Sequence, residues 1–144
     1  MTEVAIERLT KATPEAAEQL QALLTQLTSK AQQLDQAVVQ RICDSSALYV
    51  ARSNGTIVGT VCRVDMRAPV RTKCWIEDLV VDSAHRGEGI ARKLMETAMA
   101  EAPMDAVSIN LNSRITRVES HRLYQKLGFT MQDETRIWMR EIER

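Results

Sequence analysis

Aromatic residues are scarce in this 144-residue sequence: one Phe, two Trp and two Tyr, 3% of the chain. The core must therefore be aliphatic, with seven methionines available to fill irregular gaps. Charge imbalance is absent as well, since 19 basic residues face 19 acidic ones. A nucleic-acid binder carries a basic excess or stripe, so nucleic acid is not expected as a partner. No apolar run reaches the ~18 residues that a membrane-crossing helix needs, so no membrane partner is expected. Met1 to Thr10 sets charged residues among Val4, Ile6 and Leu9 and lacks the apolar centre of a secretory leader. The three cysteines, Cys43, Cys62 and Cys74, are odd in number and form no C-x-x-C pair. Neither a disulfide framework nor a zinc site is implied, and reduced thiols in a cytoplasmic setting are the expectation. His85 and His121 stand far apart, and no metal is expected.

What is present reads as one domain over residues 1–144, without linkers, repeats or low-complexity segments. The pattern alternates strands and helices, which makes a mixed α/β fold. Glu3 to Leu9 is a first strand. Thr13 caps a helix that opens at Pro14, with Ala16, Leu20, Leu23, Leu24 and Leu27 at helical spacing. A short helix follows from about Gln36 to Cys43. Strands at Leu48–Ala51 and Thr56–Val64 flank Asn54-Gly55, a pair suited to a tight hairpin. Met66 to Lys73 reads as a polar loop. Cys74 to Val81 is a nearly continuous apolar run, expected to be a buried central strand. A helix carries Ile90, Ala91, Leu94, Met95 and Ala98 on one face and stops before Pro103. Ala106 to Asn112 alternates as a strand with one buried face. Thr116 to Lys126 is a helix closed by Gly128 in the left-handed conformation. Residues from Phe129 to Ile142 are expected to make two short strands, the last around Ile137-Trp138-Met139.

Trp75 to Leu94 carries the chemistry. An apolar strand leads through Arg86-Gly87-Glu88-Gly89-Ile90-Ala91 into an amphipathic helix. Glycines let the backbone turn sharply, and the helix start offers unpaired N–H groups and a positive dipole end, a cradle for phosphate. Taken alone, the segment reads equally as a tight strand-to-helix turn with Arg86 in solvent.

Arg86, Gly89 and Ala91 match the Q/R-x-x-G-x-G/A pattern, and Ser120 to Phe129 matches A-x-x-L-Y-x-K-x-G-F. With the hairpin upstream, the chain resembles the GNAT superfamily of N-acetyltransferases. That resemblance implies a GNAT-like fold, a central mixed sheet with splayed strands flanked by helices. It implies an acyltransferase that moves the acetyl group of acetyl-CoA, its co-substrate, to a primary amine of a small molecule or peptide. By position, Leu79, Val80 and Val81 then line the pantetheine arm. Backbone groups of Arg86, Gly87, Glu88, Gly89, Ile90 and Ala91 hold the pyrophosphate, with Arg92 or Lys93 reaching a phosphate. Tyr124 falls on the family's tyrosine near the sulfur and is the candidate acid, against the alternative of a packing tyrosine beside Leu123 and Leu127. Arg117 stands where many members have Asn, and is either a phosphate contact or a solvated residue.

Glu77 is the candidate base, because a carboxylate in an apolar strand is unusual and partial burial raises its pKa toward a useful value. The alternative is an outward Glu77 paired with an arginine such as Arg71. Asp78, one residue on, is expected on the opposite strand face. Asn112 either bonds the pantetheine or acceptor, or caps the strand end. A catalytically inactive acyl-CoA-binding sensor is the alternative function, and a homodimer through a sheet edge is compatible with the fold.

Overall fold

The computed structural model describes residues 3–114 and 116–144. The chain divides into two compact units, residues 1–112 and 113–144.

The first unit is a five-stranded sheet in the order β1 (Val4–Leu9), β2 (Ala47–Ser53), β3 (Thr56–Arg67), β4 (Thr72–Val81), β5 (Ala106–Leu111). The first four strands are antiparallel, and β5 joins β4 in parallel, which makes the sheet mixed. The hairpin turns as its sequence requires: Asn54 and Gly55 have φ of 51° and 79°, the positive pair of a type I′ turn. The polar loop is shorter than expected, because β3 runs to Arg67 and β4 begins at Thr72.

Helix α1 (Pro14–Leu24) begins at Thr13, whose hydroxyl accepts from the Ala16 N–H. Helix α2 (Gln36–Ser45) is capped in the same way by Asp35. Ala16, Ala17, Leu20 and Leu23 of α1 and Val39 of α2 meet Leu48, Val50 and Ile57 of the sheet in one core. Helix α3 (Ile90–Ala100) buries Ile90, Leu94, Met95 and Ala98. It can approach β3 because residue 59 is Gly: a Cβ there would stand 3.1 Å from both Ile90 and Leu94. The most deeply covered strand is β2, not β4, since β2 has helices on both faces and β4 turns Glu77 and Asp78 to solvent. Val107 of β5 is exposed, so the expected apolar face of that strand is only partly covered within this unit.

One buried charge anchors α3. Arg63 donates to the Ala98 carbonyl at 2.7 Å, to the Tyr49 hydroxyl at 3.0 Å, and to both Asp65 oxygens. A cation at the C-terminal end of a helix opposes the negative end of its dipole.

The second unit holds α4 (Val118–Lys126), which ends at Gly128 with φ 92°. The two final strands are not formed. Residues 129–144 make no ladder among the described residues, and Met131, Ile137, Trp138, Met139 and Ile142 are exposed. Alternating apolar residues specify a strand only when a neighbour supplies its hydrogen bonds. Among the described residues, no helix is long and apolar enough to cross a membrane.

Candidate active site

Strand β4 changes character at its middle. Cys62 pairs with Glu77 but Thr60 with Val80, so two steps on β3 face three on β4. The extra residue is a bulge, and Asp78 has φ 55° there. Asp and Asn tolerate this left-handed conformation better than most residues. The bulge cancels the strand's alternation. Glu77 and Asp78 therefore line one cavity together, and the expectation that Asp78 faces the opposite side is corrected.

The other edge of β4 opens at the same place. Pairing with β5 stops at Ile76 and Leu111. Beyond it, Glu77 to Val81 have no β5 partner. Leu79 and Val81 are half-buried and Val80 is buried on this open edge. Arg86 Nε donates to the Val81 carbonyl at 3.4 Å. Asn112 is exposed directly after β5.

The turn after β4 is held at its start by Asp82 N–H to the Val58 carbonyl, 2.8 Å. A short 3-10 turn, Ser83–His85, carries the chain to Gly87 and Gly89, with φ of 80° and 78°. Gly89 is the N-cap of α3 and has no side chain to satisfy the first helical N–H groups. A Cβ on Gly87 or Gly89 would meet nothing within 4 Å, so the space before the helix start is open. An oxyanion fits that opening. Arg86 and Glu88 are exposed at its rim, and His85 Nδ1 lies 3.2 Å from Glu88 Oε2. Ile90 is 2% exposed, so only its backbone is available and its side chain fixes the helix to the sheet. Arg92 is engaged by Glu96 at 2.6 Å, while Lys93 is exposed and Ala91 half-buried.

On the α1–α2 side of β4 lies a cavity of about 530 Å³. Its walls are Leu20, Leu24, Leu34, Val39, Ile42 and Leu48, with Lys30 as its one lining cation and Glu77 and Asp78 as its carboxylates. Gln21 fixes the loop that forms one wall: it accepts from the Leu34 N–H at 2.6 Å and donates to the Gln32 carbonyl at 3.2 Å. Burial and then the neighbouring Asp78 charge hold the Glu77 carboxyl above its ordinary value. No ion pair of Glu77 occurs among the described residues, so the alternative pairing with Arg71 is not found. The Cys62 thiol also lines the cavity, and burial with Asp78 pushes it up to about 11, which keeps it protonated at neutral pH.

In the second unit, Tyr124 is half-buried on α4, with its ring edge-on to Phe129 at 6.1 Å. Burial raises its phenol above the usual value, against the lowering effects of Arg117 and Ser120. Arg117 is the exposed N-cap residue of α4. His121 Nε2 lies 3.0 Å from the Arg114 carbonyl.

Two residues of this neighbourhood escaped sequence reasoning. Asp78 was assigned to the wrong face, and the available signal was two adjacent carboxylates in an apolar strand. Gln26 had no local signal, yet it bonds Asp82 and Ser83, 56 and 57 residues later. Among the described residues, no group of three or more His, Cys, Asp or Glu could hold a metal ion.

The chain is similar to N-acetyltransferase 8B of Homo sapiens, 32% identical over 103 residues that cover 68% of this chain and 45% of that protein. It is also similar to streptothricin acetyltransferase of Escherichia coli, 32% identical over 89 residues, 61% of this chain and 49% of that one. The chain thus spans about half the length of the curated relatives it matches, 45% and 49% in these two. Among solved structures, an aminoglycoside acetyltransferase from an uncultured soil metagenomic sample superposes with TM-score 0.81 at 18% identity, covering 97% of each chain. Glucosamine-6-phosphate N-acetyltransferase from Arabidopsis thaliana superposes with TM-score 0.74 at 23% identity, covering 97% of this chain and 98% of that one. These structures speak for the fold. The profile of the Acetyltransferase (GNAT) family matches residues 15–129. With its strand bulge, its parted β4 and β5 and its glycine turn at a helix start, the chain belongs to the GNAT acetyltransferase family.

Proposed function

We propose that this protein is an N-acetyltransferase that moves the acetyl group of acetyl-CoA to a primary amine. The observation that carries this reading is the open edge of β4, residues Glu77 to Val81. It lies between an anion cradle at the start of α3 and a cavity lined by Glu77 and Asp78. One extended strand edge can bond the amides of a pantetheine arm. The N–H groups from Arg86 to Ala91 suit the pyrophosphate, and the cavity suits the acceptor.

The chemistry follows from this placement. A protonated amine has no lone pair, so it must first give a proton to a base. Glu77 takes that role, because its raised pKa makes it a stronger base than an ordinary glutamate. The freed nitrogen attacks the thioester carbonyl carbon, the C–N bond forms, and the C–S bond breaks. The nitrogen sheds its second proton, which replaces the one the sulfur takes up, while Glu77 returns its own proton to solvent. The thiolate that leaves must regain a proton, and Tyr124 is assigned as its donor. Holding amine and thioester together supplies much of the rate. The roles of Tyr124, Asn112 and Arg117 rest on the family resemblance.

An acyl-CoA sensor without turnover would need the cradle but not a carboxylate-lined cavity on the other side of the same strand. The test is acetyl-CoA turnover, followed as free thiol release with a panel of primary amines. Thiol release that requires the amine, and that falls in Glu77→Gln and Tyr124→Phe, supports the reading. Saturable acetyl-CoA binding without thiol release from any amine would leave the sensor.

A further inference from the structure

We propose that Asp78 holds the ammonium group of the acceptor while Glu77 takes its proton, and that the acceptor is a primary amine on an apolar body. This inference rests on the acyltransfer reading and names its substrate class.

The bulge places two carboxylates side by side at the cavity wall, where an unbroken strand would show only one. Neither is neutralised by an ion pair among the described residues. One carboxylate that both binds the ammonium and removes its proton loses its attraction for the substrate as it reacts. Two neighbours divide these tasks: Asp78 keeps the amine in place, and Glu77 cycles. Asp78 is thus a positioning and specificity residue.

The rest of the cavity selects the body of the acceptor. Leu20, Leu24, Leu34, Val39, Ile42 and Leu48 present hydrocarbon. Besides the two carboxylates, the polar lining residues are Thr28, Lys30, Gln32, Ser46 and Thr60 with the Cys62 thiol, and several of their groups are already engaged: Thr28 Oγ1 accepts from the Lys30 N–H at 3.1 Å. Thr60 already donates to the Tyr49 carbonyl at 2.8 Å, and the Gln32 carbonyl already accepts from Gln21. A polyhydroxylated amine would lose water bonds here without replacement. A polyamine would set its further charges against leucines. An aryl- or alkylamine sets its hydrocarbon body against the leucines and its one charge beside the carboxylates, and about 530 Å³ exceeds its needs.

The test is calorimetric titration of the full chain, without acetyl-CoA, with phenethylamine and separately with spermidine. The variants are Asp78→Asn and Asp78→Gly, both of which accept φ 55° and so keep the bulge, together with Glu77→Gln. Phenethylamine should bind the wild type saturably and more tightly than spermidine. Both Asp78 variants should weaken it tenfold or more, and Glu77→Gln by less than threefold. Unchanged binding in folded Asp78→Asn, tighter binding of spermidine, or no binding by folded wild type would overturn the inference. Thiol release is read in parallel. Binding in the expected order without thiol release would sink the acyltransfer reading and leave this site standing. Thiol release with amines whose binding ignores Asp78 would do the reverse.

Discussion

The Gln26 amide donates to Asp82 Oδ1 at 2.8 Å, and its oxygen accepts from the Ser83 N–H at 2.9 Å. One side chain just beyond the end of α1, the helix that walls the cavity, thus grips the turn that leads to the anion cradle. The bonds are exposed, so their effect on global stability is small, but they fix where the cradle begins.

Gln26→Ala should therefore weaken acetyl-CoA binding by about fivefold, equivalent to roughly 1 kcal/mol. Thermal stability should change little. Calorimetry on the variant decides this, and unchanged affinity would mean that the turn holds itself.

Gly89 and Gly55 have nearly the same backbone, φ 78° and 79°, and neither would clash through a Cβ. Any side chain at either place costs ~1–2 kcal/mol of backbone strain. Gly89→Val and Gly55→Val should thus lower stability alike. Only the former puts atoms into the opening before α3, so only Gly89→Val should weaken acetyl-CoA binding by more than tenfold.

Glu77 must be ionised to accept a proton. The rate kcat/KM should fall as pH drops through its folded pKa, which burial and Asp78 hold above the ordinary glutamate value. Asp78→Asn removes the like charge, so this acid limb should move to lower pH. Lys30 and Cys62 also line the cavity, but the thiol at about 11 titrates far above that limb. Glu77→Gln should abolish the limb and reduce kcat by ~10²–10³. A limb that stays in place in Glu77→Gln belongs to another group.

Asp65 serves stability. Burial opposes its ionisation, but its hydrogen bonds, with Arg63 first, outweigh this and hold its carboxyl below the usual value. A lowered folded pKa gives stability that is present above the unfolded value and lost as pH falls through the folded one. Asp65→Asn leaves the Arg63 charge buried with fewer partners and should cost about 3 kcal/mol near neutral pH, roughly 10 °C in Tm. That difference should shrink in acid, which thermal melts across the pH range will show.

The sequence by itself determined the local elements and the family. Thr13-Pro14, Asn54-Gly55 and the glycines around Glu88 act through short-range geometry: a cap, a positive-φ turn, a helix start. Such signals depend on a few neighbouring residues, so they are legible without a fold. The open edge of β4 at Leu79 to Val81 was placed by resemblance, and the ladder ending at Ile76 and Leu111 matches it.

Tertiary structure decided what depends on partners distant in sequence. The bulge at Asp78 exists only in register with Thr60 and Cys62, and alternation alone put its carboxylate on the wrong face. Gln26 acquires a role only because Asp82 comes within reach. Arg63 is buried because Tyr49, Asp65 and Ala98 gather around it. The apolar residues from Met131 to Ile142 show the converse: a strand-like pattern forms no strand where no ladder partner meets it. A side chain's pattern is a local property, whereas its face, its charge environment and its hydrogen-bond partner are set by what packs against it.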